Sequence, residues 1–244
     1  MSKLWMILTM IPTVACAGDP GTRPHDMSAA QHQSAAEQEE AAGKAHGTQY
    51  DPGATKDSTI CGQAGTIRPF TQTGPPCWTS RTNPTAQHSQ DAERHRELAA
   101  KHRAAAAALV EAEQKACAGI DEADRDTSPF YHQEDILSVE AAEEKPADVY
   151  GVGAARTTGA TIVFRTVPGL TLEWFQHEVN CHIARASAAG HEMPEMSYCP
   201  LVLKGVSATV SSKGDGFAVR VTSDDKQTAQ EILQRSRALV ARAQ

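Results

Sequence analysis

The chain has 244 residues, with 23 Lys and Arg against 30 Asp and Glu, for a formal net charge of −7. That length is ample for one or two domains with a real core, and the acidic balance argues against general affinity for nucleic acid or anionic membranes. Aromatic residues make up only 5% while alanine and polar residues abound, so part of the chain is expected to lie outside any packed core.

Residues 1–16, MSKLWMILTMIPTVAC, have the layout of a secretory signal: Lys3 at the positive end, an apolar stretch, then small residues. The stretch is too short for a permanent membrane span, and Pro12 opposes an uncleaved helix. Thr13-Val14-Ala15-Cys16 resembles the lipobox of bacterial lipoproteins, with Thr13 where leucine is usual. The resemblance covers this segment alone. It implies that Cys16 is diacylated, becomes the mature N-terminus and anchors the protein in a membrane. With no aspartate directly after Cys16, it points to the periplasmic face of the outer membrane. Ala15-Cys16-Ala17 also fits the pattern for ordinary signal cleavage near Ala17, which would release a secreted protein. Both routes export the chain.

Residues 17–58 are rich in alanine, glutamine, glutamate, histidine and glycine, with almost no branched apolar side chain. Such a composition predicts a disordered linker, the tether a lipoprotein needs to clear its membrane. His25, His32 and His46 are scattered within it and read as linker residues rather than metal scavengers. The next region, 59–128, begins with a loop-rich segment holding Cys61 and Cys77 and showing no periodicity. Their spacing suits a disulfide better than a zinc site, which would carry closely spaced cysteine pairs. A long helix then opens at Ser89, with Asp91 and Glu93 in its first turn, and runs to about Ala118 before Gly119. His95 and His102 share one face, flanked by Arg94, Arg96, Lys101 and Arg103. Positive neighbours oppose a cation, so this reads as a solvated basic face; an interaction helix for an acidic partner is the other reading.

The region 129–244 carries the globular pattern. His132, Glu134 and Asp135 read as a charged turn rather than a metal or acid/base group. Strands are expected at 136–139, 158–167, 206–211 and 217–221, with Gly214 and Gly216 in a hairpin turn between the last two. Helices follow the second and fourth strands; the last, from Ser223 onward, fits the core-face template closely. The order strand, strand, helix, strand, strand, helix predicts an α+β fold, a two-layer sandwich of roughly four antiparallel strands and two helices.

The stretch 169–200, GLTLEWFQHEVNCHIARASAAGHEMPEMSYCP, concentrates the chemistry. Leu172, Phe175, Val179, Ile183 and Ala186 make one helical stripe, with His182 at its edge and Gly190 as the stop. Trp174, His177 and Cys181 fall on roughly the opposite face. Two readings compete. Cys181 and Cys199 form a disulfide, or His177, Cys181, His191, Met193, Met196 and Cys199 hold a soft metal, copper or zinc. An oxidising compartment favours the disulfide. With Cys16 lipidated or removed, pairing Cys61 with Cys77 and Cys181 with Cys199 leaves Cys117 as a buried free thiol.

GxSxG, HExxH, phosphate-loop and haem-attachment motifs are all missing from the sequence. The leading expectation is therefore a non-catalytic envelope lipoprotein that binds another envelope protein or a wall component, with no cofactor. The alternative is a periplasmic copper or zinc binder. An enzyme using His132, His177 or His182 as proton carrier would need a pocket with polar groups converging on one of them.

Overall fold

The computed structural model describes residues 19–61, 77–144 and 155–242. The signal segment, with Cys16, lies outside them. The described residues form five α-helices and two antiparallel sheets, of two and four strands. Among them no helix is long and apolar enough to cross a membrane.

The expected linker contains a helix, α1 (Ala29–Gln49). Ser28 begins it: its hydroxyl accepts a hydrogen bond from Gln31 N at 3.1 Å, and Gln31 Oε1 accepts one from Ser28 N at 2.9 Å. The reciprocal pair satisfies amides that a helix start leaves open. α1 runs antiparallel along α2 (Ala86–Ala116), burying His32, Ala36 and Gly43 against Ala92, Ala99, His102 and Ala105. Small residues let the two backbones approach: a Cβ on Gly43 would lie 3.2 Å from the Ala92 carbonyl oxygen. Over Ala29–Gln49 the linker expectation failed because it weighed branched apolar bulk, whereas alanine and glycine hold this seam. On α2 the expected solvated basic face holds for Arg94, Arg96, Lys101 and Arg103, which are exposed, but not for the histidines, since His102 is buried and His95 half-buried. α2 also starts at Ala86 rather than Ser89, with Thr85 at the cap position.

Between these helices, β1 (Lys56–Cys61) and β2 (Cys77–Thr82) pair in antiparallel register, with Cys61 opposite Cys77 and Ile60 opposite Trp78. A loop was expected over these residues; the Cys61–Cys77 disulfide is present as expected. Both strands are largely exposed, so no buried side marks them in the sequence.

After α2 come a short helix, α3 (Glu122–Asp126), and the strands β3 (Ile136–Glu144) and β4 (Arg156–Phe164). Then follow α4 (Leu172–Ala188), β5 (Ser207–Lys213), β6 (Gly216–Thr222) and α5 (Lys226–Arg242). The sheet order is β3-β4-β6-β5 with every neighbouring pair antiparallel. Register places Val139, Ile162, Val219 and Val210 in one row across it. That row joins Phe175 and Val179 of α4 and Ile232 and Leu239 of α5 in one core cluster, so both helices cover the same face. Phe164 meets Phe175 edge-on at 5.2 Å and stacks on Phe130 at 5.9 Å, geometries that favour aromatic pairs. Gly190 closes α4 at φ +69°, pressed so near the start of α1 that a Cβ would come 2.8 Å from Ser28 Cβ.

The helical hairpin is fastened to the sandwich by a disulfide between Cys117 and Cys181. This corrects the expected Cys181–Cys199 bond and the expected free Cys117. Cys181 lies on the outer face of α4, clustered with Cys117 and Ile120. The loop after α4 instead returns beneath the helix, where Cys199 is a fully buried free cysteine in the main core. The two sulfur atoms thus belong to different clusters. Arg185 reinforces the junction through Asp126 at 2.8 Å and Glu113 at 3.7 Å.

Cys117 and Cys181 are 64 residues apart and Cys61 and Cys77 are 16 apart. The loop-entropy relation gives about 4 kcal/mol for the longer closure and about 3 kcal/mol for the shorter. Urea denaturation should therefore show the paired Cys117→Ser/Cys181→Ser variant losing more stability than Cys61→Ser/Cys77→Ser. Equal midpoints for the wild type and the first variant would contradict the clamp.

Candidate functional site

Where the chain leaves the disulfide and crosses to β3, it leaves a cleft of about 360 Å³ beside α4, within the size range of small-molecule sites. One wall is the segment after α3, with Tyr131 and His132; the other is α4, with Trp174 and Glu178; Phe164 and Leu170 also line it. Phe130 anchors the first wall, fully buried against Phe164. Trp174 and Glu178 are four residues apart, so one helical face presents both. Trp174 remains 38% exposed and Tyr131 62%.

Glu178 is the unusual member. It is only 7% exposed, and its carboxyl makes no hydrogen bond within the described residues. Burial pushes its pKa up to about 8, with the Asp124 carboxylate adding to the rise. A carboxyl in that position is protonated at neutral pH and acts as an O–H donor rather than an anion. One turn further along α4, His182 is 2% exposed. Its Nε2–H donates to the Asp124 carbonyl at 3.3 Å, while Nδ1 is buried without a partner among the described residues. Burial lowers the His182 pKa, which keeps the ring neutral. At the rim, His132 Nδ1 meets Glu134 at 3.1 Å and Asp135 pairs with Arg165 at 2.6 Å. His132 and Asp135 at the rim are thus matched, whereas Asp124, which also lines the cleft, forms no ion pair among the described residues.

A second hollow, of about 200 Å³, is lined by Ser197, Tyr198 and α5. Its charged groups, Glu231 and Arg235, pair with each other at 2.7 Å, so it presents no comparable unmatched group.

The six donors expected for a soft metal do not converge. Cys181 is bonded to Cys117. Met193, Met196 and Cys199 pack in the core, where burial raises the Cys199 thiol pKa and disfavours the thiolate a metal needs. His191 Nδ1–H donates to the Val202 carbonyl at 2.9 Å, and His177 is half-buried on α4. Among the described residues, the group of metal-capable side chains that does lie together is His46, His88 and Asp91, on α1 and α2. Of the three histidines weighed as proton carriers, His132 reaches the cleft rim and neither His177 nor His182 lines it.

Sequence reasoning passed over Glu178. The available signal was an acidic residue four positions from both Trp174 and His182, beside the apolar stripe, where an unpaired carboxylate is costly.

No protein-family model, curated protein or solved structure matches the chain.

Because folding raises the Glu178 pKa from 4.5 to about 8, the native state holds a proton there that the unfolded chain releases. Its contribution is complete below pH 4.5 and disappears as pH rises toward 8. Across that window wild-type stability should fall relative to Glu178→Gln, by up to about 1.4 kcal/mol per pH unit. Denaturation midpoints of both proteins from pH 4 to pH 9 would read this; parallel curves would show an ordinary, solvated Glu178.

Proposed function

We propose that the protein is an exported lipoprotein, anchored through Cys16, that acts in the cell envelope as a non-catalytic binding module. The observation that carries the reading is Glu178: a buried carboxyl lining an open aromatic cleft, its pKa pushed up to about 8 by burial. One directed donor within apolar walls is the make-up of a recognition site. An apolar group bearing a hydrogen-bond acceptor is favoured by the Glu178 donor, whereas an anionic group would face the Asp124 carboxylate, which also lines the cleft. A side chain of an envelope protein, or an amphipathic piece of wall or lipid, has this chemistry.

Two disulfides support export, since such bonds persist in oxidising compartments. Residues 1–16 support the route, and the resemblance of Thr13-Val14-Ala15-Cys16 to a lipobox supports the anchor. An outer-membrane location follows from the same resemblance.

Anchoring is tested by fractionation. The wild type should sediment with membranes and incorporate labelled fatty acid, and Cys16→Ser should do neither; a soluble, unlabelled wild type would refute the anchor. The cleft is tested by following Trp174 fluorescence in a Trp78→Phe protein titrated with amphipathic small molecules and wall fragments. Saturable binding should weaken as pH rises through about 8, where Glu178 ionises, and lose that pH dependence in Glu178→Gln. Binding indifferent to Glu178→Gln and Trp174→Ala would place the site elsewhere.

A further inference from the structure

The helical hairpin carries a second cluster, independent of the cleft. His46 lies in the last turn of α1 and His88 in the first turn of α2, so antiparallel packing brings the two imidazoles together. Their Nδ1 atoms face each other at 3.1 Å. Asp91 follows His88 by one helical turn, and the ligand-capable atoms of all three lie within 4.8 Å of one another. Zinc binds imidazole nitrogen and carboxylate oxygen at about 2.0–2.2 Å, which spaces neighbouring tetrahedral ligands about 3.3–3.5 Å apart. The observed cluster needs only small side-chain movements to reach that geometry.

We propose that His46, His88 and Asp91 form a binding site for one divalent transition-metal ion, with zinc as the best match, bridging α1 and α2.

The surroundings hold the ligands in place. His95 stacks on His46 with ring centroids 5.3 Å apart and planes 12° apart. Its own Nδ1 is held by Glu39 at 2.5 Å. Gln87 Nε2 donates to Asp91 Oδ1 at 3.1 Å, so one carboxylate oxygen is oriented while the other stays available. Such outer partners fix ring and carboxylate directions at metal sites. Among the basic residues of α2, Arg96 pairs with Glu93, Arg103 with Glu40 and Lys101 with Asp19. All three proposed ligands are half-buried, which leaves the site reachable and the ion exchangeable.

A second histidine pair on the same hairpin marks the contrast. His32 and His102 also meet through Nδ1 atoms, at 3.0 Å. His32 Nε2, however, is engaged by the Arg23 carbonyl at 3.0 Å, and no acidic or thiol ligand joins them in a metal-capable group among the described residues. That pair satisfies itself and reads as packing.

Two imidazoles and one carboxylate leave a fourth tetrahedral position for water or a donor from a partner. The ion would join α1 and α2 just where the chain departs into β1 and β2. It would therefore fix the base of the exposed β-ribbon, as the Cys117–Cys181 bond fixes the other end of α2.

The test uses the full chain stripped of metal with a chelator and titrated with Zn²⁺ alone by calorimetry. One equivalent should bind with a Kd in the micromolar range or tighter, and His46→Gln, His88→Gln and Asp91→Asn should each weaken it at least tenfold. His177→Gln should bind as wild type does. Absence of stoichiometric binding, affinity unchanged in His46→Gln and His88→Gln, or equal loss in His177→Gln would overturn the proposal. A readout without variants guards against misfolding: Zn²⁺ should protect His46 and His88 of the wild type from diethyl pyrocarbonate while His132 stays reactive. Full modification of His46 and His88 in the presence of Zn²⁺ would also overturn it.

Discussion

The bond between Cys117 and Cys181 is the constraint on which the arrangement depends. It holds the end of α2 against the outer face of α4 and leaves the inner face of α4 to the sheet. Since β3 begins at Ile136, the chain between Ile120 and Ile136 has to pass over α4 within a limited length. That passage builds α3, buries Phe130 and sets Tyr131 and His132 across from Trp174. The cleft is thus a consequence of where one sulfur bridge lies.

The same crossing explains the electrostatics of the site. α3 brings Asp124 toward Glu178 and its backbone toward His182. A carboxylate there would suffer both lost hydration and like-charge repulsion, so Glu178 keeps its proton. Arg185, by contrast, reaches Asp126 and Glu113 and so ties α2, α3 and α4 together, while Glu178 becomes a neutral donor facing the cleft.

Much of the sandwich was legible in the sequence. The run Ile162-Val163-Phe164 is β-branched and aromatic, the α5 pattern repeats at helical spacing, and glycines mark the turn and the helix stop; these are local signals with one dominant meaning. What was illegible was non-local or lacked hydrophobic contrast. Helix α1 buries alanine, glycine and histidine rather than leucine, so its seam resembles linker composition until α2 is beside it. Strands β1 and β2 have no buried side to alternate with. Placing Cys181 opposite the apolar stripe of α4 was correct, but the side to which the following loop returns was not encoded nearby, and the sulfur partner was misassigned. The metal set on α4 failed for the same reason, because adjacency in sequence stood in for adjacency in space. Glu178 escaped notice because its burial comes from α3, more than fifty residues earlier in the chain.

Peptide mapping of the unreduced, alkylated protein by mass spectrometry tests the central arrangement most directly. A linked peptide pair containing Cys117 and Cys181, with Cys199 alkylated only after unfolding, is the predicted result. A pair joining Cys181 to Cys199, with Cys117 free, would detach the hairpin from α4 and contradict the fold from which the cleft arises.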